Sequence, residues 1–257
     1  MGTTLRFRFL GQFAIHTADG WRLGPPLKKG GELLQYLGTY PRRIATKDEL
    51  ATAFWPELDA DAVAHRIHLA SSGARAYLRR YLGAPEAMVC VVNGYAWSLG
   101  TTVHTDTEEF FTLCRRGTRE SLEAAAAIYG GEFLSGETAD WLQPMRIRCA
   151  SIYACALELL ARHAEADGDV PGALNAALKL YDAERGHEGA TRSIMRCFAA
   201  LGLRDRAESQ FASLRDYLRG RLGVEPSEET ATLAREIRSG RRVRGELVDR
   251  NAPMVVV

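Results

Sequence analysis

A mainly α-helical chain with a small β component, divided into two folded domains and a tail, is the fold class that the sequence predicts. Three observations predict it. The first hundred residues mix period-two runs with helical runs. Beyond Leu99 the β signals vanish and apolar residues recur at helical spacing. A 34-residue repeat then runs through the C-terminal half. The length of 257 residues allows two domains of ordinary size. A content of 46% hydrophobic and 25% charged residues is that of a globular protein.

The N-terminal elements follow in order. Leu5–Leu10 alternates apolar and basic residues, as a half-buried strand does. Phe13–Thr17 resumes as a second strand, Asp19-Gly20 turns the chain, and Trp21–Leu23 begins a third. Gly24-Pro25-Pro26 closes the sheet. Lys29–Thr39 reads as a helix with Leu33, Leu34 and Leu37 on one face, stopped by Pro41. Thr46 and Glu49 fit a capping box before a short helix that ends at Trp55-Pro56. Asp59 or Asp61 caps a longer helix to about Leu82, with Ala64, Ile67, Ala74, Leu78 and Tyr81 as its apolar stripe. Met88–Val92 and Tyr95–Leu99, joined by Asn93-Gly94, read as a hairpin.

The long helix carries the chemistry. Away from its stripe it shows His65, Arg66, His68, Ser71, Ser72, Arg75, Arg79 and Arg80. Arginines neutralise phosphates, and Arg, His and Ser reach base edges. A solvated surface helix is the bland alternative. Three strands, three helices and a hairpin, with the last helix the longest and most basic, make a winged helix-turn-helix with an extra β-sheet. The charge distribution agrees: residues 1–100 carry a net +4 and the remainder a net −3, within a total of +1.

In the second half, helices are expected at 106–116, 119–129, 141–167, 170–184, 188–201, 204–222 and 228–239, with a loop at Gly130–Gly136. Gly168 and Gly202, Ala173 and Ala207, and Leu160 and Ile194 each stand 34 residues apart. That is the tetratricopeptide period, so an all-α tetratricopeptide-like domain is expected. The expected domains are 1–102, 103–240 and a flexible tail at 241–257, in which Arg241, Arg242 and Arg244 precede apolar Met254–Val257.

No run of the sequence is long and apolar enough to cross a bilayer, and Met1–Leu10 has no secretory h-region. Five scattered cysteines without a C-x-x-C read as reduced thiols in a cytoplasmic protein. No phosphate loop, dinucleotide fingerprint, zinc-protease or calcium motif is present. His65 and His68 lack a third ligand nearby in the sequence. The expectation is no enzyme, no catalytic residues, no metal and no cofactor.

The N-terminal half resembles the OmpR/PhoB-type winged helix. The matching stretches are Leu5–Gly11, Lys47–Leu50 leading to Phe54-Trp55-Pro56, the Ala64–Leu78 helix and Gly94-Tyr95. The whole chain to about residue 240 resembles the Streptomyces antibiotic regulatory protein (SARP) family, bacterial activators that join this winged helix to a bacterial transcriptional activation domain. In the second half the resemblance rests on Thr105–Phe110, Gly130–Phe133 with Trp141, and Leu222–Ser227. It implies that the third helix enters the major groove of promoter DNA while the hairpin touches the backbone or the minor groove, which adds Lys47, Asn93 and Tyr95 to the DNA-contacting set. It also implies that Trp55, Glu57 and Asp59 face RNA polymerase holoenzyme, and that the protein self-associates on DNA. The implied member is a short one, without the ATPase or phosphopeptide-binding domain that longer relatives carry.

One position departs from the family. Relatives carry a basic pair in mid-helix where this chain has Ser72-Gly73. A helical glycine costs about 1 kcal/mol relative to alanine, and the pair's phosphate or base contact is lost. Two alternatives to the activator therefore stand. One is a ligand-gated regulator whose helical domain binds a small anionic effector, such as a nucleotide, through Arg146, Arg148, Arg185, Arg192 and Arg196. The other is an interaction module that no longer binds DNA.

Overall fold

The computed structural model describes residues 2–24, 29–41 and 44–240. The chain divides into two compact units: Met1–Phe110 with Ile128–Cys149, and Phe111–Ala127 with Ala150–Val257.

The first unit begins with β1 (Thr3–Arg8), β2 (Ala14–Thr17) and β3 (Gly20–Leu23), an antiparallel meander. Leu5 and Phe7 point into the core and Arg6 and Arg8 away from it, as the alternation requires. A strand the sequence did not announce completes the sheet. β7 (Thr101–Thr105) lies parallel to β1, with Thr3 opposite Thr101 and Phe7 opposite Thr105. The expectation that β structure ends at Leu99 is therefore corrected. Four of the five residues of β7 are β-branched, which favours a strand, while hydropathy alone is silent.

Then come α1 (Lys29–Thr39), the short β4 (Ala45–Thr46), α2 (Lys47–Phe54) and α3 (Ala60–Leu82). The Thr46–Glu49 capping box forms in full: Thr46 Oγ1 accepts from Glu49 N, and Glu49 accepts from Thr46 N at 2.9 Å. Asp59, not Asp61, caps α3, accepting from Ala62 N at 2.8 Å. The hairpin is β5 (Met88–Val91) and β6 (Gly94–Trp97), and β4 joins it in the order β4-β6-β5. Val91 pairs with Gly94, so the two turn residues are Val92 and Asn93, and Gly94 belongs to the ladder. Trp97 Nε1 donates to the Leu37 carbonyl at 3.0 Å, tying hairpin to α1.

α1 crosses α3 at close range. A Cβ on Gly30 would stand 2.8 Å from Ala74 N and 2.9 Å from the Gly73 carbonyl carbon. A Cβ on Gly73 would meet the Gly30 Cα at an ordinary 3.7 Å. The crossing explains a glycine on α1 and a small surface at mid-α3. It buries Val63, Ile67, Ala70, Ser71, Ala74 and Leu78 of α3. The expected stripe was partly misplaced: Ala64 is exposed and Tyr81 only half-buried.

The segment 128–149 belongs with this unit through backbone bonds. Leu134 N donates to Phe9 O, Ser135 N to Gly11 O (both 2.8 Å) and Gly11 N to Glu132 O (3.1 Å). Fully buried Phe133 lies 5.6 Å from the Phe9 ring. The Asp106 carboxylate, at the start of α4 (Asp106–Arg116), accepts from Phe9 N and Leu10 N at 2.8 and 2.9 Å. Burial nevertheless pushes its carboxyl above the usual aspartate range. These contacts place the division of the chain elsewhere than at residue 102.

In the second unit, α5 (Arg119–Ile128) and the later part of α6 (Gln143–Ala166) precede α7 (Val170–Ala183), α8 (Glu188–Ala200), α9 (Arg204–Tyr217) and α10 (Glu228–Arg238). A π turn at Leu218–Leu222 prolongs α9. The 34-residue repeat is structural. Gly168 and Gly202 both take left-handed φ, +74° and +76°. Asp167 N to His163 O and Leu201 N to Cys197 O form the same bond one repeat apart, as do Asp169 N to Ala164 O and Leu203 N to Phe198 O. Ala173, Ala207 and Ile194 are fully buried and Leu160 nearly so. Arg119 holds Glu123, Asp167 and Asp169 together, with Asp169 also capping α7. Among the described residues no helix is long and apolar enough to cross a membrane. All five cysteines are free, and burial pushes Cys114 and Cys197 up to about 12. The tail expected at 241–257 lies outside the described residues.

Two predictions follow from this packing. Gly30→Ala destabilises by about 1–3 kcal/mol because the added carbon has no room. Gly73→Ala leaves stability unchanged or raises it by up to about 1 kcal/mol. Urea unfolding of both variants checks this, and equal losses would contradict it.

Glu188 gives the second. It accepts from Ser227 N (2.9 Å), Ser227 Oγ (2.5 Å) and Thr230 Oγ1 (2.6 Å), fastening α8 to the start of α10. Burial works to raise its pKa, but these bonds and Arg192 outweigh it and hold the carboxyl below the usual range. A depressed carboxylate stabilises above its unfolded pKa and loses that stabilisation as pH falls through its folded pKa. Glu188→Gln therefore costs about 1 kcal/mol at pH 7, and the difference from wild type closes at strongly acid pH. A loss of equal size at both pH values would contradict the assignment.

Candidate nucleic-acid interface

Helical geometry sorts the exposed side of α3 into two rows. At roughly 100° per residue, positions 65, 68, 72, 75 and 79 follow one another along the helix, and 66, 69, 73, 76 and 80 form the neighbouring row. The first row is His65, His68, Ser72, Arg75 and Arg79, exposed except for half-buried Arg75. None of these five has an ion-pair partner among the described residues. From Ala62 to Leu82 the helix carries four arginines and two histidines and no acidic residue. From His65 to Arg79 the row is therefore uniformly cationic or hydroxylic. Arg79 and Arg80 also sit in the last turn, where cations complement the helix dipole.

The structure brings two further expected residues together. Lys47 N donates to Asn93 O at 3.0 Å, so the start of α2 and the hairpin turn are joined, and both side chains are exposed. Val92, at the tip, is fully exposed, a position the sequence reading did not single out. Its only signal was an apolar residue next to a turn.

Two expected contacts are corrected. Ser71 is fully buried and its hydroxyl donates to His68 O at 2.9 Å, so it faces the core rather than DNA. A Ser-Ser pair reads as surface, yet position 71 follows Ile67 by four residues and lies on the buried stripe. Tyr95 is only 5% exposed, because its position in β6 directs the ring inward. Arg66 is exposed but stands on the second row.

The loop between α2 and α3 holds Trp55 half-buried, with its ring 5.6 Å from Phe54 and the Lys29 ammonium 5.5 Å away. Glu57 is exposed. The Asp59 carboxylate is engaged as the cap of α3.

The five arginines expected to hold an effector are divided between the two units. Arg146 and Arg148 belong to the first unit, and Arg185, Arg192 and Arg196 to the second. Arg146 donates to the carbonyls of Phe133 (3.0 Å), Leu134 (2.8 Å) and Glu137 (2.7 Å). Arg185 pairs with Asp182 at 3.6 Å and lies over the Tyr181 ring. Arg192 pairs with Glu229 at 3.2 Å, and Arg196 with buried Glu165 at 2.9 Å. Arg148 is exposed and has partners of its own. Four of the five are thus engaged in contacts that hold the fold.

Comparisons with known proteins bear on the whole chain. The model of the bacterial transcriptional activator domain family matches residues 114–238. A similar solved structure is that of Mycobacterium tuberculosis EmbR in complex with a low-affinity phosphopeptide. It is 19% identical with a TM-score of 0.77, and the match covers 94% of this chain and 66% of that one. The likeness is one of fold, and the chain spans about two thirds of that relative's length. A comparison with curated proteins gives no match.

The Arg146 geometry predicts a stability role. Arg146→Ala removes a donor from three backbone carbonyls, of which Leu134 O keeps Glu137 N at 3.1 Å, and lowers stability by about 2 kcal/mol. Thermal unfolding and duplex titration of the refolded variant check this. A stable variant that has lost DNA affinity would show Arg146 to be a ligand contact.

Proposed function

We propose that the chain is a SARP-type transcriptional regulator, a reading supported by its match to the bacterial transcriptional activator domain family over residues 114–238, and that it binds double-stranded promoter DNA through α3 and the β5–β6 hairpin and contacts RNA polymerase. The observation that carries this reading is the acid-free row His65, His68, Ser72, Arg75 and Arg79 on the exposed side of α3. In the major groove such a row offers guanidinium groups to phosphates and guanine edges, and imidazole and hydroxyl groups to the remaining edges. The hairpin tip, with Val92 and Asn93 exposed and Lys47 beside it, meets the sugar-phosphate backbone. Trp55 and Glu57 in the α2–α3 loop face the polymerase. Two protomers bind neighbouring sites, in the cytoplasm, with no catalytic step.

The interaction-module reading rests on Ser72-Gly73 alone. Gly73 stands on the second row of α3 beside the α1 crossing, while Ser72 keeps an exposed place on the first row.

Salt-dependent titration of a mixed-sequence duplex tests the proposal. Affinity falls steeply as salt rises, because each neutralised phosphate releases counterions. The double variant Arg75→Gln/Arg79→Gln lowers the slope of log K against log salt by about 2, while Glu57→Gln leaves DNA affinity intact and reduces transcription in a reconstituted polymerase assay. An unchanged slope in the double variant would remove α3 from the interface.

A further inference from the structure

The second row of α3 borders a groove whose opposite wall is the start of α1, all within the first unit. The groove encloses about 580 Å³, in the range that holds small organic ligands. Its floor is backbone, because Gly30, Gly31 and Gly73 place no side chain in it. Its walls are aromatic and apolar: Trp55, Tyr77, Tyr81 and Leu69. Tyr77 and Tyr81 lie side by side, ring centroids 4.6 Å apart.

The charge around this groove has one sign. Among the described residues Lys29, Arg66 and Arg80 line it and no carboxylate does. Lys29 is held by Glu32 at 2.7 Å. Arg80 lies over the Tyr81 ring at 5.3 Å, and Arg66 has no ion-pair partner among the described residues. The Tyr77 hydroxyl, shielded from solvent, has no hydrogen-bond partner, so the wall holds an unused polar group. Two guanidinium groups without carboxylate partners among the described residues, beside adjoining aromatic rings, suit an anion carried on a flat apolar body. The backbone of a paired duplex would leave the rings unused, and an uncharged apolar body would leave the arginines unused.

We infer that the groove between α1 and α3 is a binding site for a small anionic aromatic compound, a planar apolar body bearing one carboxylate, sulfonate or phosphate group. The site adjoins the row proposed to read DNA, so its occupant competes with the duplex for α3. That last consequence alone rests on the proposed function.

Calorimetric titration of the full chain without DNA tests the site, with 2-naphthalenesulfonate as probe and neutral 2-naphthalenemethanol as comparison. The sulfonate binds at one site, about tenfold or more tighter than the alcohol, the difference that one charge-assisted hydrogen bond supplies. Ala76→Trp, on an exposed position of the groove wall, weakens the sulfonate at least tenfold with the circular dichroism and melting temperature of wild type. Arg66→Gln/Arg80→Gln removes the preference for the sulfonate over the alcohol. Absence of binding, equal binding of the two compounds, or indifference to Ala76→Trp would overturn the assignment. Because DNA is absent, failure here leaves the DNA-binding reading standing, and a chain that binds no duplex can still bind the probe.

Discussion

The close crossing of α1 over α3 governs what the N-terminal unit presents to solvent. Gly30 has no room for a Cβ against the Gly73–Ala74 backbone, so the two helices meet at one point and one rotation. That rotation buries Ile67, Ala70, Ser71, Ala74 and Leu78 and leaves the two outer rows free. One row becomes the cationic and hydroxylic edge, and the other lines the aromatic groove. Gly30 on α1, distant from both rows in the sequence, thereby sets the geometry of both.

The remainder of the first unit holds α3 and the hairpin in register. Thr46 is a strand residue, the N-cap of α2 and the partner of Gly94, so the start of α2 cannot move without the hairpin. Trp97 fastens the hairpin to α1. Asp106 and the loop around Phe133 close the far end of the sheet through backbone bonds to Phe9, Leu10 and Gly11. In the second unit a different economy prevails. Each helical pair repeats the same glycine-terminated turn and the same small buried residues, and ion pairs such as Arg119 with Asp167 and Arg196 with Glu165 fix neighbouring helices.

Local signals were legible in the sequence. The span of α1, the Thr46–Glu49 box, the Asp59 cap and the 34-residue period all depend on neighbours within a few turns, and all appear in the structure. Features that depend on distant partners were not legible. β7 exists because β1 waits beside it nearly a hundred residues away. Arg146 reads as a surface cation until the carbonyls of Phe133, Leu134 and Glu137 surround it. Ser71 and Tyr95 fit a DNA-contacting pattern by residue type, yet each lies on the inward side of its element, and only the tertiary packing decides that. The need for glycine at position 30 was equally hidden, because the backbone of Gly73 and Ala74 that excludes a Cβ there sits on another helix.

The functional account thus rests on one surface: the row from His65 to Arg79, held outward by the α1 crossing and flanked by the hairpin turn. Selection of bound duplexes from a random-sequence pool tests it most directly. The account predicts recovery of a common motif whose half-sites recur at the spacing of one helical turn or its multiple, with protection from cleavage in the major groove. Recovery of unenriched sequence would contradict it and remove DNA recognition from α3.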